Sequence, residues 1–258
     1  MLGAIAGDMI GSIYEADGIK TKDFPLFDKL SCFTDDTVLT VAVAETLLQA
    51  GDYAAQYRDY YRRYPYAGYG GGFHAWARSA DPAPYNSFGN GSAMRVSPVG
   101  YAFQTMDEVR AEARRSAAVT HNHPEGVKGA EATAAAVFLA RLREDKSRIR
   151  DYVESEFGYD LSATPDMLRP TYVFDVTCQG TVPAALSSFL YADGFEDAVR
   201  NAVSLGGDSD TLACIAGGVA GAYYGVPAGI EKEVKARLDE LLGSVMVEFA
   251  KRFGISSV

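Results

Sequence analysis

The longest uncharged run in the chain, LACIAGGVAGAYYGVPAGI from Leu212 to Ile230, constrains the fold most. It is rich in alanine and glycine, contains a Gly217-x-x-x-Gly221 spacing, and is broken at Gly225 and Pro227. Small residues at that spacing let another backbone approach closely, as they do between membrane helices. The helical part is too short to cross a bilayer, which needs about 20 apolar residues. It therefore reads as a buried helix packed tightly through its small residues.

Helical patterns dominate the rest of the chain. Thr37 to Ala50 is apolar and ends at Gly51, a residue that suits a helix stop. Asp107 to Val119 is amphipathic. Pro124, placed well for a first helical turn, opens a segment to about Glu144. Pro183 to Tyr191 and Phe195 to Leu205 read as a helical pair separated by Asp193-Gly194. Ile230 to Phe253 reads as one long surface helix. The apolar N-terminus, MLGAIAGDMIGSIYE, has no basic region and carries Asp8, so it reads as a core helix and not as a signal peptide. The best strand candidate is Thr171 to Thr177, where alternation is partial. No glycine-rich turn joins a strand to a helix, which leaves dinucleotide-binding and P-loop readings without support. With 258 residues, 48% hydrophobic, and no repeat or linker, the expectation is one all-α domain over residues 1–258, a compact bundle of many helices.

The net charge of −10 argues against a partner that presents a phosphate backbone. The pairs Arg62-Arg63 and Arg114-Arg115 are diluted by acids. Cys32, Cys178 and Cys214 are odd in number and widely spaced, which suits a reduced, cytoplasmic protein. The segment from Tyr53 to Trp76 is dense in tyrosine and runs into Gly70-Gly71-Gly72-Phe73. It reads either as an aromatic packing face with a loop, or as an aromatic and glycine wall beside a ligand.

Polar residues concentrate in four segments: Gly7-Asp8 through Glu15, FTDDT at 33–37, NSFGNGSAMR at 86–95, and GGDSDT at 206–211. FTDDT and GGDSDT share a design, with two carboxylates and a threonine hydroxyl just before an apolar helix. Either motif alone reads as a helix cap, since Asp and Thr oxygens accept the free N–H groups of a first turn. Together they present four carboxylates, which would repel one another without cations. Two divalent ions balance that charge. Oxygen ligands suit Mg²⁺, Mn²⁺ or Ca²⁺, and the few histidines and cysteines show no zinc-site spacing. The expected cofactor is a pair of divalent ions, Mg²⁺ or Mn²⁺.

The ordered set GDMIGSIYE, FTDDT, SFGNGSAMR, THNHPEG and GGDSDTLACIAGGVAGAYYG resembles the ADP-ribosylglycohydrolase family, from residue 3 to about 225. That family includes dinitrogenase reductase-activating glycohydrolases, ADP-ribosyl-acceptor hydrolases and crystallin-like members. The resemblance implies an all-α fold and a binuclear Mg²⁺ or Mn²⁺ centre held by Thr34, Asp35, Asp36, Asp208, Asp210 and Thr211. Ser209 is left out of the ligand set as a cap or a supporting hydrogen bond. Glu15, Asp36 and Asp210 are the candidates for acid/base work, unranked. Ser87, Gly89, Asn90 and Gly91 would bind phosphate and ribose, Phe88 would stack on the adenine or its ribose, and His121 would contact the diphosphate or distal ribose. Tyr69 and Gly70 join the substrate side, and Arg95 is read as structural.

The implied reaction is metal-dependent hydrolysis of the glycosidic bond at the distal ribose of ADP-ribose, releasing a modified protein or small molecule. The first acceptor is arginine; serine, nucleobase and small-molecule linkages are the alternatives. Asp23, Asp28, Asp81 and Glu125 are the acids considered for facing a guanidinium, and none is singled out by spacing. A binding protein without catalysis and a phosphatase acting on a small ester are the competing classes. No membrane is expected, nucleic acid enters only as a modified substrate, and the protein is expected to be a monomer.

Overall fold

The structure is a computed structural model and describes residues 1–255. Among these residues there are fifteen helices and no sheet; the only strand-like pairing is one isolated bridge between Gly89 and Thr177. The first half holds α1 (Leu2–Gly11), α2 (Asp35–Gln49), α3 (Tyr53–Arg63), α4 (Gly71–Arg78), α5 (Gly91–Met94), α6 (Val99–Ala102) and α7 (Met106–Ala118). The second half holds α8 (Pro124–Arg141), α9 (Lys146–Phe157), α10 (Pro165–Leu168), α11 (Cys178–Leu190), α12 (Phe195–Val203), α13 (Ser209–Tyr224), α14 (Ala228–Arg237) and α15 (Glu240–Arg252). Among the described residues no helix is long and apolar enough to cross a membrane.

The uncharged run forms α13, which packs against α1, α8, α11 and α12 and is buried along nearly its whole length. Its closest neighbour is α1. Gly3, Gly7 and Gly11 recur every fourth residue on α1, so they share one face. A Cβ added at Gly7 would lie 1.9 Å from the Ala213 carbonyl oxygen, and one at Gly11 would lie 2.4 Å from that of Ser209. Gly217 repeats the constraint from the other side, 2.3 Å from the Gly3 oxygen. The two backbones are in direct contact, and this brings Asp8 on α1 beside the first turn of α13.

Helix α2 starts where FTDDT predicts. Thr34 caps it by accepting from the Asp36 N–H at 3.3 Å, and Asp35 and Asp36 complement the positive end of its dipole. At the other end Ala50 takes the left-handed conformation (φ 50°) one residue before Gly51. Helix α8 begins with Pro124 in its first turn and uses the His123 ring nitrogen as its cap.

Three expectations are corrected. The segment from Ile230 to Phe253 is not one helix: Leu238 turns extended (ψ 143°), and Asp239 starts α15 by accepting from the Leu242 N–H at 2.9 Å. A cap hidden inside a helical periodicity therefore broke it. Thr171 to Thr177 is not a strand. Its one paired end meets the Gly89 region, with Asn90 N donating to Val176 O at 2.7 Å and Cys178 N donating to Phe88 O at 2.9 Å. The glycine triplet is not a loop: Gly71 and Gly72 open α4, whose Phe73 and Trp76 are buried. The tyrosine-rich segment is largely a packing face, since Tyr53, Tyr57, Tyr60 and Tyr61 of α3 are all buried.

Candidate metal centre

The first turns of α2 and α13 converge on the α1 side of a cleft of about 430 Å³. Two groups of carboxylates lie there, each with ligand atoms within 4.8 Å of one another. One comprises Asp8, Asp36 and Asp210; the other comprises Glu15, Asp208 and Asp210. Asp210 belongs to both, so the arrangement has the form of two adjoining cation sites that share one residue.

Helix capping does not explain the second motif. Asp208 occupies the cap position of α13, yet its side chain makes no capping hydrogen bond. It accepts instead from Asn90 Nδ2 at 2.7 Å, which ties the NSFGNGSAMR loop to the acid cluster. Thr211 Oγ1 lies 3.4 Å from Asp36 Oδ2, and Asp210 Oδ1 accepts from the Thr211 N–H at 2.9 Å. Ser209 points away and donates to the Gly11 carbonyl at 3.0 Å.

Asp8 is the principal residue that the sequence reading left out of the site. It is fully buried, and its carboxylate accepts from the N–H and hydroxyl groups of both Thr34 and Thr37, at 2.7 Å from the Thr34 hydroxyl. These bonds fix the start of α2 to α1. A lone acid in the apolar string GAIAGDMIG was the available signal, because a buried carboxylate requires partners.

No lysine or arginine pairs with these carboxylates among the described residues. Burial, then the neighbouring Asp8 and Asp208 charges, push Asp35 up to about 8, even though part of its surface faces the cleft. Burial likewise raises Asp36 and Asp210 well above the usual carboxylate range, with Asp8 and Asp36 respectively as the leading charged neighbours. Glu15, the one exposed member, is raised by desolvation and then by Asp208. Asp36 Oδ1 is buried with no hydrogen-bond partner. An acid cluster that is desolvated, mutually repelling and short of donors has the donor set that fits hard divalent cations.

The chain matches the family model described as ADP-ribosylglycohydrolase over residues 1–257. It belongs to the ADP-ribosylglycohydrolase family. It is 27% identical to ADP-ribosylhydrolase ARH3 of Bos taurus, over 88% of this chain and 84% of that protein. It is 30% identical to ADP-ribosylarginine hydrolase Tri1 of Pseudomonas putida (strain GB-1), over 61% of this chain and 44% of that protein. A solved structure described as an ADP-ribosylglycohydrolase-related protein complex is similar, with a TM-score of 0.70 and 27% identity, covering 97% of this chain and 96% of that one. Family membership makes the chain an ADP-ribosylglycohydrolase-type hydrolase of glycosidic bonds.

Glu15, Thr34, Asp35, Asp36, Asp208, Asp210 and Thr211 all line the cleft. So do Gly70, Ser87, Gly89, Asn90, Gly91 and His121. Asp35 lies outside both three-residue groups. Phe88 stands on the rim, 46% exposed, with its ring edge-on to His123. Beside it, through the 88–90 and 176–178 backbone pairing, the exposed Phe174 and Val176 contribute to the cleft wall. Tyr69, expected on the substrate side, is not among the lining residues and is stacked on Phe73 with centroids 5.2 Å apart. Asp23, Asp28, Asp81 and Glu125 are not among the lining residues.

Proposed function

We propose that this chain removes ADP-ribose from a modified acceptor by hydrolysing the bond at the anomeric carbon of the distal ribose, with two Mg²⁺ or Mn²⁺ ions as cofactors. The observation that carries the reading is the shared Asp210, which joins two carboxylate groups without any basic partner and opens onto a glycine-lined cleft. Asp36, Asp208 and Asp210, with Asp35, Thr34 and Thr211 at the edges, would hold the cations. Asp8 has its oxygens occupied by Thr34 and Thr37 and is better suited to positioning the α2 turn. The bound ions supply Lewis acidity toward the sugar hydroxyls and toward water.

The chain's own groups would do the rest. The Ser87 hydroxyl and the Gly91 backbone N–H would bind the diphosphate, since the Gly89 and Asn90 N–H groups already donate to Ser87 Oγ and the Val176 carbonyl, and the His121 ring lies against the same loop. Phe88, with Phe174 and Val176, offers an apolar face to the adenine. Gly70 lines the same cleft, with Tyr69 next to it in the chain. The buried carboxylates stabilise positive charge that develops on the ribose ring as the bond breaks. Glu15 is the acid reached by solvent, so it is the group best placed to carry a proton between bulk water and the reacting centre. We take the chain to act as one domain, as a monomer and in the cytoplasm, in keeping with its free cysteines.

For the acceptor, arginine is supported by the name of Tri1. A hydroxyl-linked acceptor is the second reading, because none of the four acids considered for a guanidinium lines the cleft. Arginine-, serine- and DNA-linked ADP-ribose, each incubated with Mn²⁺ or Mg²⁺, separate these readings by release of free ADP-ribose. Release from the arginine adduct alone supports the first; release from the serine adduct alone replaces it. No release from any adduct by the metal-loaded protein overturns catalysis and leaves a binding protein.

Cation binding is expected to stabilise the protein more at high pH. The raised carboxylates hold protons that a cation must displace, so affinity grows as pH climbs through Asp35's value of about 8. In chelator the same groups destabilise the fold progressively above their unfolded value near 4, since the unfolded chain ionises more readily. The N-terminal amine and His121, both lowered by burial, carry the opposite sign. They act alike with and without metal and cancel in the difference. The gain in melting temperature on adding Mn²⁺ over chelator therefore rises from pH 5.5 to 8.5. Differential scanning fluorimetry checks this, and a gain that is flat or falls with pH contradicts it.

A further inference from the structure

Among the described residues Arg95 is the largest fully buried side chain, and no carboxylate pairs with it. Its guanidinium lies over the Tyr57 ring, 4.3 Å from the centroid. Nη2 donates to the Ser116 carbonyl at 3.2 Å and to Thr120 Oγ1 at 2.8 Å, while Nε and Nη1 have no partner. Thr120 Oγ1 in turn lies 2.7 Å from His121 Nδ1. All three side chains are buried, and Arg95 and His121 reach the cleft.

The hydrogen-bond chemistry of this row has one consistent direction. Arginine can only donate, so Thr120 Oγ1 accepts from it. The threonine hydroxyl proton then has one neighbouring acceptor, His121 Nδ1. Thr120 Oγ1 has a second lone pair, but if it accepted from His121 as well its own proton would be left without an acceptor; satisfying that proton leaves the lone pair on Nδ1 and puts the ring proton on Nε2. Nε2 has no protein partner among the described residues and faces the glycine loop; a Cβ on Gly91 would lie 3.2 Å from it and one on Gly89 3.5 Å.

We infer that Arg95 and Thr120 are positioning residues that fix His121 as the Nε2–H tautomer, so that it presents a permanent neutral N–H donor to a phosphate oxygen in the cleft. The inference about the donor's target rests on the ADP-ribose reading; the tautomer itself does not. Burial, then the Arg95 charge, hold His121 well below its ordinary value. The titratable groups facing it are Arg95, the residue that follows α5, and Tyr85, whose ring centroid is 5.9 Å away. No carboxylate is among the charged groups that act on it. The row also explains why an uncompensated guanidinium is retained: its charge offsets that of an anionic ligand from behind the wall.

Long-range ¹H–¹⁵N NMR of the imidazole nitrogens in the whole protein tests the tautomer without substrate. The expected spectrum shows His121 as a pure Nε2–H form in wild type and in Thr120→Ser, and a tautomer mixture in Thr120→Val and Arg95→Met. Titration with ADP-ribose, by calorimetry, is expected to give weakening in Thr120→Val in proportion to the fall in its Nε2–H fraction, about 2-fold for an even mixture, and near wild-type affinity in Thr120→Ser. A wild-type Nδ1–H form, or a pure Nε2–H form that survives in both Thr120→Val and Arg95→Met, overturns the inference. A wild type with the expected tautomer that fails to bind ADP-ribose overturns the ligand and leaves the tautomer standing.

Discussion

Asp210→Asn is expected to lower ADP-ribose release by on the order of 10²–10³-fold or more, and to leave the protein folded. Asp210 is the one residue common to both carboxylate groups, so its loss weakens two cation sites at once. Asparagine keeps the shape and one oxygen but removes the charge. The same change relieves repulsion from Asp36 and Asp208, the neighbours that raise Asp210. The metal-free variant should therefore melt no lower than the metal-free wild type, while the stabilisation by Mn²⁺ is lost. Thermal unfolding with and without Mn²⁺, alongside turnover, reads all three outcomes. Unchanged turnover would remove GGDSDT from the site, and a collapse of the metal-free fold would make Asp210 structural.

Gly7→Ala is expected to produce the largest loss of stability among conservative substitutions. Its Cβ would sit 1.9 Å from the Ala213 carbonyl oxygen and 2.3 Å from the carbonyl carbon, both backbone atoms inside a buried helix. No side-chain rotation relieves that contact, so α1 must move away from α13. Overpacking of a core usually costs about 1–3 kcal/mol, and a backbone clash belongs at or beyond the upper end. About 3 kcal/mol lowers the melting temperature of a chain this size by roughly 6–12 °C. The shift also carries Asp8 away from Thr34 and Asp210, so the response to Mn²⁺ should fall with the melting point. Gly243→Ala serves as the control: nothing lies within 4 Å of its Cβ, and alanine there should stabilise α15 by about 0.5–1 kcal/mol. Equal melting points for Gly7→Ala and wild type would contradict the close crossing of α1 and α13.

These two predictions show which parts of the molecule were legible in the sequence. The closeness of Asp36, Asp208 and Asp210 was legible because charge imposes a chemical condition: neighbouring carboxylates need cations wherever the backbone goes. The burial of the Leu212–Ile230 run was legible for a similar reason, since its lack of charge and its small residues leave few alternatives. Its partner was not identified, although Gly3, Gly7 and Gly11 repeat at the same spacing. Asp8 was missed because its importance arises from that pairing, which places it under the start of α2. Asp239 was missed because the apolar periodicity continues on both sides of it. The neighbours of Phe88 could not be read locally, because Val176 reaches that loop through backbone hydrogen bonds across nearly ninety positions. The Arg95–Thr120–His121 row was half visible: Thr120 and His121 are adjacent, but Arg95 joins them only through the packing of α5 against α7.

The central claim is that the carboxylates around Asp210 hold cations the reaction requires. Stripping the protein with chelator and titrating Mn²⁺ back at pH 8, while following free ADP-ribose released from an ADP-ribosylated acceptor, tests it most directly. The expected result is no release at the start and a rise that saturates as about two ions bind per chain, the number the two carboxylate groups imply. Release that proceeds at full rate in chelator, before any Mn²⁺ is added, would contradict the account.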